Sequence, residues 1–283
     1  MATMSSSTTT TTTTTQCSEP SGVWSFTTLL NPIAEVFFTS TTTSTTKNLW
    51  LACGTGILVG VGLCRLQTIM SRASRRPKNV KVVYFKMAGR AGAVRAALKL
   101  ARIKYENDFV DRDSMQELKP RLPFGQVPVF EVNGEIVAQS NAFLRYVGKF
   151  SGLYPDDPFD ALKVDEIVDG VSDSMLLLRP SLLEKNPDKK LRMRKELISS
   201  DGSLRVFLQN MERLVQRNQD KSGTIGRGHA CGKELTIADI SLFTILKMIH
   251  DEFFEGIPRT LLTNFPLLKN IHDNLNGLDV WGL

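Results

Sequence analysis

Three features of the chain predict an α/β domain followed by an all-helical one. Val80 to Phe85 is a β-branched and aromatic run, and apolar residues at helical spacing follow it directly. Asn133-Gly134 stands between two short apolar stretches, a strong hairpin signal because both central positions need φ > 0. After Pro158 only helical periodicity remains.

In chain order, Val80–Phe85 reads as a first strand. Gly89–Arg102 reads as a helix, with Ala93, Val94, Ala97, Leu98 and Ala101 on its apolar stripe. Tyr105–Val110 is a second strand, followed by a loop region. Val127–Val132 and Glu135–Ala138 form the hairpin, and Ser140 is placed to cap a helix running to about Phe150. The order β-α-β, loop, β-β-α is the thioredoxin-like arrangement. Residues 151–158 are a turn-rich linker. Helical periodicity then covers 159–179, 188–218, 236–251 and 266–275, with Pro180, Pro187, Pro258 and Pro266 near the boundaries. Thr236 and Asp239 have the layout of a capping box, with Leu235 and Ile240 placed as its staple.

Residues 1–46 are a Thr/Ser-rich leader that cannot bury enough apolar surface to order itself. Leu49–Cys64 is uncharged, and as a helix it spans about 24 Å, which Arg65 can extend by snorkelling. With Arg65, Arg72, Arg75, Arg76 and Lys78 beyond it, residues 47–78 read as a membrane anchor and basic linker that leave the folded part cytosolic. A cleaved targeting leader, releasing the folded part into an organelle or the cytoplasm, is the alternative. Residues 1–78 carry +4 of the net +6, so no basic stripe on the folded part points to nucleic acid. Among the four cysteines there is no C-x-x-C pair, and the three histidines are scattered. Neither a disulfide framework nor a metal site is expected.

Four motifs now resemble one family. Tyr84-Phe-Lys-Met-Ala-Gly-Arg-Ala91, Leu122-Pro-Phe-Gly-Gln-Val-Pro128, Ala138-Gln-Ser140 and Leu235-Thr-Ile-Ala-Asp239 are together similar to cytosolic glutathione transferases of the sigma class. The resemblance runs from about residue 80 to the end. It implies a thioredoxin-like domain (79–150) that binds glutathione as co-substrate, and a helical domain (159–283). It also implies a homodimer and conjugation of the thiol to small electrophiles.

Moving a thiol pKa from about 8.5 to about 6.5 needs roughly 2.7 kcal/mol, close to what one hydrogen bond to a charged group supplies. The resemblance makes Tyr84 that donor and adds the positive charge of Arg90. A lone strand tyrosine more often packs in a core, and Arg90 is otherwise a solvated helix residue. The resemblance further implies Lys119 on the glycyl carboxylate, Gln126 and Val127 on the peptide backbone, and a cis Pro128. Gln139 and Ser140 would hold the γ-glutamyl carboxylate at a helix N-terminus. Asp173, otherwise a solvated helix residue, would reach the neighbouring subunit's ligand. Met87, Ala88 and Met175 would line the electrophile pocket.

Met115 stands where the family commonly has Trp, and Gly92 where it commonly has Glu. Leu176–Pro180 lacks the tryptophan of the prostaglandin-isomerising branch. No cysteine lies in the Tyr84–Gly89 stretch, which argues against thiol-dependent relatives. Two further readings stay open: a non-catalytic structural or ligand-carrying member of the fold, and a membrane-bound glutathione-dependent isomerase or peroxidase of lipid substrates.

Overall fold

The computed structural model describes residues 76–224, 228–278, 280 and 281, and these fall in one compact unit. The leader, including Leu49–Cys64, lies outside the described residues. Among those described, no helix is long and apolar enough to cross a membrane.

Strand β1 (Val80–Tyr84) alternates buried and half-buried side chains, as a half-covered strand must. A 3₁₀ turn at Gly89–Ala91 leads into α1 (Gly92–Leu100), whose alanines are buried in the core. Strand β2 (Glu106–Phe109) pairs parallel to β1, while β3 (Val129–Val132) and β4 (Glu135–Ala138) add antiparallel on the other side. The sheet order is β2-β1-β3-β4, with Asn133 and Gly134 at φ 53° and 91° closing the hairpin. Helix α3 (Ser140–Ser151) then crosses back against α1 and ends at Gly152, in the left-handed conformation.

The segment read as a loop after β2 holds a helix, α2 (Arg112–Leu118), continued by a 3₁₀ turn over Lys119–Arg121. Asp111 starts α2 by accepting from the Asp113 and Ser114 N–H groups at 3.1 and 2.9 Å. None of its residues is buried, so apolar periodicity had nothing to report.

The helical half begins with α4 (Pro158–Leu183), which runs through Pro180 instead of stopping before it. Proline removes one N–H, but the last turn is held by Ser181, which donates to Leu178 and accepts from the buried Arg194 guanidinium. The single helix expected over 188–218 is two, α5 (Pro187–Leu197) and α6 (Ser203–Ser222). A Cβ on Gly202 would lie 2.4 Å from the Glu196 carbonyl, so glycine permits the close return that divides them. Helix α7 (Ile237–His250) is buried nearly all round and packs against α1, α3 and α4; a helix apolar on every side belongs in a core. The predicted capping box starts it, and Asp239 accepts from the Thr236 N–H at 2.7 Å. After a 3₁₀ stretch (Arg259–Asn264), α8 (Pro266–Asn276) closes the bundle.

Candidate functional site

Strand register brings three of the expected residues to one end of the sheet. Val83 is paired with Val129, and Val129 with Ala138. One residue further on each strand lie Tyr84, Pro128 and Gln139, and the Val127–Pro128 bond is cis. Val127 is half-buried and Gln126 exposed at this end.

Tyr84 is 7% exposed, so most of its ring is core. Its hydroxyl accepts from the Arg90 backbone N–H at 3.3 Å. Accepting that bond leaves the phenolic proton free to donate elsewhere. The turn carrying Arg90 passes close because residue 89 is glycine: φ is +41°, and a Cβ there would lie 2.6 Å from the Tyr84 oxygen. Arg90 itself is exposed.

A residue that the sequence reading passed over lies beneath. Arg95 is 2% exposed, with its guanidinium 5.9 Å from the centre of the Tyr84 ring. It donates to Asn107 Oδ1 at 2.8 Å and to the Met87 carbonyl at 2.7 Å, tying α1 to β2 and to the turn after β1. Burial pulls it below the ordinary arginine value, against the attraction of Tyr105 and Tyr84. The available signal was a charge standing in the apolar stripe of α1, between Val94 and Leu98.

Ser140 is the first residue of α3 and not its cap. Gln139 takes the cap position at φ 71°, ψ 99°, and no side chain caps the helix. A serine already inside the first turn cannot reach forward to the N–H it was expected to satisfy. The first intrahelical bond is Phe143 N–H to Gln139, so the N–H groups of residues 140–142 precede the ladder. Asn141 anchors this end by donating to Asp169 at 3.0 Å and Ser172 at 2.9 Å on α4. Asp173, exposed, follows Ser172 and shares a helix face with Asp169.

Lys119 is exposed after α2; a Cβ on Gly125 would touch its stem at 3.4 Å. Of the three electrophile-site candidates, Ala88 lines a cavity of about 300 Å³ with Gly92, Phe243, Met248, Phe253 and Trp281. Met87 and Met175 pack against the core and do not line it. Cys231 is buried, and burial pushes its thiol up to about 12, so it supplies no thiolate near neutral pH. Among the described residues no group of three or more His, Cys, Asp or Glu side chains is placed to hold a metal.

Residues 80–149 match the family model "Glutathione S-transferase, N-terminal domain" and residues 173–279 match "Glutathione S-transferase, C-terminal domain". The chain belongs to the glutathione S-transferase family. This family uses glutathione as co-substrate. Glutathione S-transferase S1 of Drosophila melanogaster is 29% identical over 196 residues, 69% of this chain and 73% of that protein. Hematopoietic prostaglandin D synthase of Gallus gallus is 37% identical over 122 residues, 43% of this chain and 60% of that one. A solved prostaglandin synthase D of Nilaparvata lugens superposes with TM-score 0.60 at 23% identity, over 71% of this chain and 94% of its own; that likeness is one of fold.

Proposed function

We propose that the chain is a glutathione transferase in which Tyr84 holds the glutathione thiol as thiolate for attack on a small electrophile. The observation that carries this reading is the shared sheet end of Tyr84, the cis Val127–Pro128 bond and the uncapped start of α3 at Gln139–Ser140. An uncapped helix N-terminus favours a carboxylate, and open main chain leading into a strand can pair with an added peptide strand. The left-handed Gln139 is the kind of backbone strain that persists at binding sites.

In this reading the γ-glutamyl carboxylate lies at Gln139 and Ser140, and the cysteinyl backbone on Val127, flanked by Gln126 and Pro128. The glycyl carboxylate is met by Lys119. Tyr84 already accepts from the Arg90 N–H, which polarises its O–H towards the sulfur, and the Arg90 charge adds to that. The thiol proton leaves to solvent. The thiolate then forms a C–S bond to the electrophile, and the leaving group departs with its electron pair. Electrophiles enter by the cavity that Ala88 lines with Phe243, Met248, Phe253 and Trp281. Asp173 serves a neighbouring subunit's ligand, which requires a homodimer.

The prostaglandin D synthase relative supports a second reading, glutathione-dependent isomerisation of a lipid peroxide. The test is the initial rate of conjugation to a chromogenic aryl halide, for the full chain beside its Tyr84→Phe variant. A loss of about 10–100-fold in the variant is expected, the effect of 1.4–2.7 kcal/mol. Equal rates across about pH 6–8 contradict the role of Tyr84. No rate in either protein, despite retention on immobilised glutathione, moves the reading to a binding protein or to the lipid isomerase.

A further inference from the structure

The end of the sheet opposite the candidate site carries a cluster of cations that glutathione chemistry does not use. Arg76, Lys78, Arg102 and Lys104 are all exposed. The Arg76 guanidinium donates to the Ala101 carbonyl at 3.4 Å, which lays the entering chain against the end of α1 beside Arg102. The backbone N–H groups of Lys78 and Asn79 reach Asn133 Oδ1 at 3.3 and 3.4 Å, and the Asn133 N–H returns to Asn79 at 2.9 Å. Lys78 and Lys104 therefore line one open groove, with Val80, Ile103 and Tyr105 as its apolar floor. Of the two acidic residues in the groove, Glu131 is met by Lys81 at 3.6 Å, leaving Glu106 against Lys78 and Lys104, with Arg76 and Arg102 exposed beside it.

We propose that this face docks on a membrane surface carrying anionic lipid headgroups. Of the four cations only Lys78 and Lys104 share the groove, while Arg76 and Arg102 stand exposed outside it, a spread that suits a plane of headgroups better than one small anion. The chain upstream favours the same occupant. Twelve residues before Arg76 ends the uncharged stretch Leu49–Cys64, and twelve residues reach at most about 40 Å. Arg65, Arg72 and Arg75 in that interval add the same sign. The geometry also leaves the enzyme open to solvent. Lys78 stands two residues before β1, and Tyr84, the last residue of that strand, lies about 13 Å beyond its first.

Each Lys or Arg near an anionic surface strengthens partitioning about fivefold, and salt weakens the effect. The test is sedimentation of the full chain with phosphatidylcholine vesicles, with and without phosphatidylserine. Phosphatidylserine is expected to raise binding in a salt-sensitive way. Arg102→Asn with Lys104→Glu should then lower it about a hundredfold, and Arg76→Gln with Lys78→Gln about 25-fold. Both variants leave Arg65, Arg72, Arg75 and the glutathione site intact, and unchanged thermal midpoints confirm their folding. Equal binding to neutral and anionic vesicles overturns the proposal. So does wild-type binding by both variants, which would assign the effect to the leader, or equally tight binding of the full chain to a short duplex DNA.

Discussion

Tyr84 and Gly89 form a pair in which each constrains the other. The hydroxyl fills the space that a side chain at 89 would need, and the backbone there is already left-handed. Gly89→Ala is expected to destabilise by about 1–3 kcal/mol and to displace the tyrosine, lowering activity with it. Gly152, at φ 78° with nothing within 4 Å of a Cβ, is the control, because alanine there meets the backbone penalty alone. Thermal unfolding of both variants checks this: a Gly89→Ala loss no larger than that of Gly152→Ala would contradict the contact. The tyrosine was legible because the motif around it names the family. Arg95 was not, because a buried arginine looks like any other charge until the fold shows its partners. Those partners, Asn107 and the Met87 carbonyl, lie 12 and 8 residues away.

Elements with an apolar rhythm were readable, and those held by polar ends were not. Strand β1, the Asn133-Gly134 hairpin and α7 follow from side-chain pattern alone. Helix α2 rests on Asp111 and buries nothing, so it leaves no such trace. The break between α5 and α6 depends on Gly202 approaching a carbonyl, which is a tertiary fact. Capping at α7 was readable because Thr236 and Asp239 carry it locally. The Asp239 carboxylate is fully buried, taking the Thr236 hydroxyl at 2.9 Å as well as two backbone N–H groups, those of Ala230 and Thr236. Burial pushes this carboxyl up, while those bonds hold it down. Asp239→Ala strands those N–H groups and should cost about 3 kcal/mol, or roughly 6–12 °C in Tm. An unchanged Tm would show that the cap is not what holds α7 in place.

Across the whole molecule, the change from an α/β half to a helical half was legible because strand patterns stop after Ala138. The way the helices of the second half close on one another was not. The close of the bundle shows this in His272, which is 1% exposed and stacked between Phe243 and His250, with Asp273 3.0 Å from its Nδ1. Burial pulls its imidazole below the ordinary value, more than Asp273 raises it. The unfolded chain therefore takes up a proton at about pH 6.5 before the folded one does. Its contribution to stability is complete above that pH and is lost as pH falls through the lower folded value. Tm measured from about pH 7 to 5 should fall, and His272→Gln should flatten that slope; a parallel slope in the variant would place the titrating group elsewhere. The central claim is that Tyr84 lowers the thiol pKa of bound glutathione. It is tested most directly by titrating the thiolate absorbance of the glutathione complex with pH, in the wild-type chain and in Tyr84→Phe. The account predicts a wild-type midpoint about two units below the free thiol value of about 8.5, returning towards it in the variant. Equal midpoints in two proteins that both bind glutathione would contradict it.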